Sequence, residues 1–423
     1  MKRHSSSIKP RRLHHRIMTP IRDFLADSRA GGIILIGCTI VSIILSNWTY
    51  TSTAYTNFWQ RGGMQISFVH LPETNLLWVN DVFMTFFFFL VGMEIKRELT
   101  IGELASFKKS LLPVLGAVGG MLVPAIIFMF FNRATGFRHG WGIPMATDIA
   151  FSLGVLSLLG NRVPLQLKIF LAALAIIDDL GAVITIALFY TAKINVFYLL
   201  AAVSLWLLVY LLNRYKVQKL FLYLVPGVLL WYCLFNSGIH ATIAGVIMAF
   251  SMPIKSLGKI EHYLQRPVTF VIMPLFALAN TAIVFPSDFS SAFSSTVSFG
   301  IIAGLVFGKP LGIFLFSFIA TKLKIAVLPS GTNYKQLFGM GILGGIGFTM
   351  SIFTANLAYG QELLLVTSKI SVICASVLAA LCGYAYMFRL DKSAQLFIRQ
   401  ARKRQSGKSR QQDFVLQEEP AII

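Results

Sequence analysis

The chain has 423 residues, of which 56% are hydrophobic and only 13% charged, with a mean hydropathy of +0.71. So little charge excludes an ordinary soluble domain of this size. A net charge of +20 would point a soluble protein toward nucleic acid. Here the basic residues lie between apolar runs and at the two ends, where the cytoplasmic loops of a membrane protein carry them.

Residues 1–29 form a polar, basic segment, and the apolar run GGIILIGCTIVSIILS follows it. That run continues into SNWTYTST rather than a small-residue cleavage site, which predicts an uncleaved first span. Apolar runs of helix length then recur, predicting an all-α polytopic fold with a transporter domain over 30–389. Its twelve expected spans lie at about 31–46, 76–94, 111–131, 142–159, 164–190, 197–212, 217–235, 238–252, 267–285, 297–319, 337–359 and 370–388. Between the first two spans, AYTNFWQRGGMQISFVH places aromatic and β-branched residues around Gly62-Gly63. This is either a small β-hairpin or a bare loop, and an exposed hairpin edge would pair with the same edge of a second subunit. Residues 390–423 are mostly polar and charged, composition expected of a disordered cytoplasmic tail. Cys38, Cys233, Cys374 and Cys382 are scattered through apolar runs, with no disulfide framework or zinc spacing.

Twelve spans put both ends of the chain on one side. That side carries 31 of the 37 Lys and Arg residues, and the other carries five: Arg61, Arg133, Arg138, Lys193 and Lys369. The bias makes the side with both termini cytoplasmic. The one remaining basic residue, Lys309, lies inside a span.

Few ionisable groups fall within spans: Asp148, Asp178, Asp179, Lys309 and His240, with Asp81 and Glu94 nearer span ends. An acid at the bilayer centre costs about 2.5–3.5 kcal/mol on insertion scales, so it faces a water-filled cavity or a partner. Asp178 and Asp179 stand side by side in FLAALAIIDDLGAVITIALF with a single lysine available between them, too little for a static ion-pair role for both. Asp148 lies in GWGIPMATDIAFSLG, where Pro144, Gly140 and Gly142 weaken the helix. The segment is either a simple proline kink or an unwound stretch lining a cavity. In the second case its carbonyls, Thr147 and Asp148 form an oxygen-rich set suited to Na⁺. A second interruption, GMGILGGIGFTMSIFTANLA, has five glycines in nine residues, read as close helix packing or as a second unwound span. The two interruptions occupy the middle spans of two triplets, the core repeats about 111–190 and 297–388, a pattern that marks a transporter's binding site. Lys309 in LVFGKPLGIFLF has an aspartate as its expected partner, whether in a static bridge or with proton exchange.

The runs WVNDVFMTFFFFLVGMEIKREL, GWGIPMATDIAFSLGVLSLLG, LAIIDDLGAV, FNSGIHATIAGV, MPLFALANTAI, FGKPLGI and GGIGFTMSIFTANLA closely resemble the bacterial NhaA-type sodium/proton antiporters, over about residues 20–390. Antiporters of this type are themselves among the cases from which the rule on interrupted helices was drawn. The resemblance implies twelve helices in inverted-topology repeats, two crossing interrupted helices, and a homodimer joined by a β-hairpin around Gly62-Gly63. It implies that Asp178 and Asp179 bind the ion and protons, with Asp148 and Thr147 in the unwound segment beside them and Lys309 paired to a core acid. It also implies an electrogenic exchange of Na⁺ or Li⁺ for H⁺ in the inner membrane, with no cofactor and no enzymatic activity. Glu94, Arg97 and Glu98 share one helix face at i, i+3 and i+4. With Glu261 and His262 they read as a pH-responsive ion funnel by resemblance, or as an interfacial anchor of helix ends. His240 reads as a second contributor to pH response or as a hydrogen-bonded core histidine.

Two neighbouring carboxylates in a poorly solvated cavity cannot both be ionised without a cation, and they titrate as a unit. Na⁺ and protons therefore compete for the same oxygens. An intramembrane aspartyl protease would want its acids on separate helices with a GxGD-type motif, which IIDDLG does not supply. A passive channel would line its filter with carbonyl or acid rings and needs no buried lysine. A Na⁺-coupled symporter of related fold is the nearest alternative.

Overall fold

The computed structural model describes residues 30–62, 70–102, 105, 107–191, 194–217, 219–286 and 293–417, with the backbone alone described at 107–109, 161, 255 and 391–417. The basic segment 1–29, Gly63 and the residues after it to 69, and 418–423 lie outside the described residues. Among those described there is no strand. One antiparallel bridge joins Gly62 to Thr74, at the edges of the segment expected to turn at Gly62-Gly63.

Helix α1 (Ala30–Asn47) is followed by the short α2 (Ser52–Gln60) and by α3 (Asn75–Thr100), which contains a π-helical stretch at Trp78–Phe83. Helix α4 (Phe107–Phe131) leads to a 3₁₀ segment, Gly136–Met145, and then to α5 (Ile149–Leu158). Helices α6 (Leu165–Phe189), α7 (Val196–Arg214), α8 (Phe221–Ser237) and α9 (Ile243–Ser251) come next. Helix α10 (Ile254–Pro267) passes through a π-helical stretch into α11 (Met273–Asn280). The chain closes with α12 (Thr296–Lys322), α13 (Tyr334–Gly344), α14 (Phe348–Ala358) and α15 (Glu362–Gln417).

Seven of these helices are long and apolar enough to cross a membrane, and nine spans result if each of two bent pairs counts as one. The bent pairs are Gly136–Met145 with α5, at 44°, and α13 with α14, at 46°. The other three expected spans are also helical but shorter. Helix α8 has 17 residues, α9 has only 9, and α11 has 8 and continues the amphipathic α10. Helix α15 runs past the apolar stretch to Gln417, with its backbone alone described beyond Leu390.

The order helix, bent pair, helix occurs twice, as α4 to α6 and as α12 to α15. Helices α4 and α12 pack on each other at Gly119 and Gly312, where a Cβ on either would strike the other's backbone carbonyl. Small residues permit such approach where no hydrophobic driving force separates helix from lipid. Between them and α6 the core brings the two bends into contact.

Candidate functional site at the two helix breaks

Both breaks arise where the sequence cannot sustain a helix. Ala146–Asp148 is extended after Pro144, and Gly345–Gly347 interrupts the second pair. The breaks are tied together by their backbones. The Asp148 amide donates to the Ile346 carbonyl at 2.7 Å, and the Ser152 hydroxyl to the Leu343 carbonyl at 3.1 Å. Opposite helix ends therefore meet in the protein interior, and their partial charges need compensation.

Asp148 compensates the two N-termini. Its Oδ1 accepts from the Phe151 amide of α5 at 2.9 Å, and its Oδ2 accepts from the Thr349 amide of α14 at 3.1 Å and from the Thr349 hydroxyl. The sequence grouped Asp148 with the ion-binding acids; here both its oxygens are engaged. Lys309 serves a C-terminus, donating to the Met145 carbonyl at the end of the 3₁₀ segment. A π-helical stretch, Gly304–Gly308, immediately precedes Lys309, and such stretches re-aim the residues that follow them.

Lys309 also pairs with an acid, its Nζ lying 2.9 Å from Asp178 Oδ2, with both side chains fully buried. Thr147 Oγ1 lies 2.7 Å from that same oxygen and 3.0 Å from the Gly344 carbonyl, so its single proton serves one acceptor at a time. Asp178 Oδ1 has no hydrogen-bond partner. Asp179 is fully buried as well, and neither of its oxygens has one. The charges of Asp178, Asp148, Lys309 and Glu94 all act on Asp179. Three buried carboxylate oxygens with no donor are costly unless a proton or a cation satisfies them. Among the described residues no three His, Cys, Asp or Glu side chains gather as a metal-binding group. The arrangement is therefore two acids flanked by hydroxyl and carbonyl oxygens, which suits a weakly held hard cation better than a resident transition metal.

A second cluster lies farther along α3. Arg97 sits 3.1 Å from Glu261 of α10 and 3.4 Å from Glu98, and the buried Glu94 feels all three charges. Glu261 lies outside the spans, and burial pushes its carboxyl above the usual range; Arg97 opposes this and Glu98 adds to it. Helix α3 joins this cluster to the break through apolar contacts of Val91 and Ile95 with Ile176 of α6. His262, expected in the same group, is exposed, with its ring against Tyr263. His240 is elsewhere again, its Nε2 2.8 Å from the Tyr190 carbonyl just past the end of α6. Tyr190 is eleven residues beyond Asp179, about 16 Å along the helix, so His240 does not touch the acids.

Two features of the site went unnoticed in the sequence. Thr349 shares Asp148 between two helices, and an amide cluster, buried at Asn80 and Asn280 and half-buried at Asn356, links α3, α11 and α14. In that cluster the Asn280 and Asn356 side chains donate to Asn80 Oδ1 at 2.8 Å and Asn280 Oδ1 at 2.6 Å respectively. The only sequence signal for either was a polar residue inside an apolar run.

The sequence model of the family described as Na⁺/H⁺ antiporter 1 matches residues 22–387. The chain is 49% identical over 374 residues to the Na(+)/H(+) antiporter NhaA of Cytophaga hutchinsonii, covering 86% of this chain and 94% of that protein. It is 46% identical over 375 residues to the Na(+)/H(+) antiporter NhaA of Dechloromonas aromatica, covering 86% and 94%. It is also 46% identical over 381 residues to that of Escherichia coli O1:K1 / APEC, covering 88% and 98%.

Proposed function

The chain belongs to the Na⁺/H⁺ antiporter 1 family, and from that membership we propose that it exchanges cytoplasmic Na⁺ for external H⁺ at Asp178 and Asp179. Members of this family are transporters rather than enzymes, and their ions are cargo, not cofactors. The apolar helices and the family together make it a multi-pass protein of the bacterial inner membrane. One observation carries the reading: Asp179 is wholly buried with both oxygens unpartnered, beside an Asp178 whose Oδ1 is equally free.

Na⁺ and protons are alternative ways of neutralising these oxygens. If the site changes sides only when one or the other occupies it, exchange follows without a further coupling device. Asp178 differs from Asp179 in having Lys309 and Thr147 on its other oxygen, so a cation at Asp178 competes with an ammonium as well as with protons. The second proton therefore travels on Asp178 or on Lys309. More protons entering than Na⁺ leaving moves net positive charge inward, worth about 2.3 kcal/mol per elementary charge per 100 mV, so an inside-negative membrane expels Na⁺. Li⁺, a similarly hard cation, fits the same oxygens.

The remaining features follow the same reading. We read twelve spans in inverted repeats, the three short helices among them, with both termini on the cytoplasmic side because 31 of the 37 Lys and Arg residues fall there. The Glu94–Arg97–Glu98–Glu261 cluster lies at the cytoplasmic mouth, where it draws cations in and tunes activity with pH. The segment closed by the Gly62–Thr74 bridge joins two copies into a homodimer. The test is proton release in everted vesicles, followed with a pH-quenched probe. Adding Na⁺ or Li⁺ dequenches it, and Asp179→Asn abolishes the response. Normal exchange by that variant would remove Asp179 from the site.

A further inference from the structure

The 3₁₀ segment Gly136–Met145 is ten residues long. Runs of 3₁₀ helix rarely exceed three or four residues, because their hydrogen bonds are poorly aligned. This one also contains Gly136, Gly140, Gly142 and Pro144, all weak helix formers. Something outside the segment must hold it.

Two tyrosines do so, each the residue directly after a helix of the site. Tyr190 follows α6, which carries the two acids, and its hydroxyl donates to the His139 carbonyl at 2.6 Å while accepting from the Gly142 amide at 3.2 Å. Tyr359 follows α14, which carries Thr349, and its hydroxyl donates to the Phe137 carbonyl at 2.7 Å. Glycine is required at the contacts. A Cβ on Gly142 would come 2.8 Å from the Tyr190 hydroxyl, and one on Gly140 would strike that of Tyr359. His240 fixes Tyr190 in turn, through its backbone carbonyl.

At its other end the segment delivers the Met145 carbonyl to Lys309 and, two residues on, Thr147 to Asp178. A 3₁₀ helix rises about 2 Å per residue, so a slip of one residue at His139 would carry those oxygens out of hydrogen-bond range. We propose that Tyr190 and Tyr359 are positioning residues for ion binding, their hydroxyls setting the register of Gly136–Met145 and so the oxygens around Asp178 and Lys309. Neither touches the ion. This inference rests on the reading of Asp178 and Asp179 as the exchange site.

The experiment uses the full chain in everted vesicles and, purified in detergent, a Na⁺ titration of its melting temperature. Tyr190→Phe and Tyr359→Phe keep the rings and remove only the hydroxyls. Each raises the half-saturating Na⁺ concentration by about three- to tenfold, with the maximal rate within about twofold of wild type. The Na⁺ needed to raise the melting temperature shifts by the same factor. Gly142→Ala, which displaces the Tyr190 hydroxyl, reproduces the Tyr190→Phe shift, and the double variant is no worse than Gly142→Ala alone. Unchanged Na⁺ dependence in Tyr190→Phe, a loss of maximal rate or abundance alone, or additive losses in the double variant overturns the proposal. Wild type and Asp179→Asn run alongside. A wild type without exchange overturns the site reading and this inference with it; an exchanging wild type matched by Tyr190→Phe overturns this inference alone.

Discussion

Lys309→Met removes one member of a fully buried ion pair. At 2.9 Å and an effective dielectric constant near 20, the Lys309–Asp178 attraction is about 6 kcal/mol. Desolvating the two ions costs several kcal/mol each, so the intact pair contributes little net stability. Removing one partner is another matter, costing about 3–5 kcal/mol because the remaining charge keeps its desolvation and loses its compensation. Here Asp178 retains the Thr147 hydroxyl, and the Met145 carbonyl loses its donor. The expected order follows: Lys309→Met melts well below wild type, Asp178→Asn melts lower as well, and the double variant melts above Lys309→Met. The coupling between the two sites is at least about 2 kcal/mol. Heat-induced loss of monodisperse protein in detergent measures this, read as an order of midpoints because such unfolding is irreversible. A double variant as unstable as the two single losses combined would show that the two side chains do not depend on each other.

Glu261→Gln tests the second cluster through pH. The folded carboxyl sits above its ordinary value, chiefly through burial, so the proton stays on until the pH passes that raised value. The stability this gives is complete below the ordinary glutamate value and is lost as the pH rises through the raised one. Glutamine mimics the protonated form. The variant therefore matches wild type in acid and binds Na⁺ roughly two- to fivefold more weakly in alkali, where wild type has gained a negative charge in this cluster. Equal Na⁺ affinity at every pH would exclude Glu261 from the pathway. Thr349→Val keeps the shape of the residue but removes one of the donors to Asp148, costing about 1–3 kcal/mol. Thr354→Val is the control, since the Thr354 hydroxyl bonds only the Met350 carbonyl of its own helix, at 3.0 Å. Equal melting of the two valine variants would refute the bridging role of Thr349.

The sequence made most helices readable because bilayer thickness sets their length and water sets their ends. It made the breaks readable too, since proline and clustered glycine disrupt helices for local reasons. Partners across the fold were a different matter. Lys309 could be assigned an aspartate but not which one, because a π-helical stretch shifts its direction by an amount that no hydrophobic period records. Tyr190 and Tyr359 look like ordinary residues at span ends, and Asn280 in FALAN looks like a helix-ending asparagine. Their roles depend on hydroxyls and amides meeting segments tens or hundreds of residues away. The weakest expectation concerned the division between α8 and α9, whose apolar runs are real but whose helices, of 17 and 9 residues, are short for a bilayer's width.

Adjacency of the two acids has a geometric consequence. Successive residues of a helix point about 100° apart, so neighbours on α6 cannot share a set of partners. Asp178 turns toward α12 and the first break, where Lys309 and Thr147 meet it; Asp179 turns away and meets no donor. Two acids a full turn apart would share one face and face the same lysine. Placed side by side, one is tethered to the framework of helix ends while the other meets no donor. On the proposed reading, the free acid exchanges its proton for Na⁺ without dismantling the contacts that hold the breaks together.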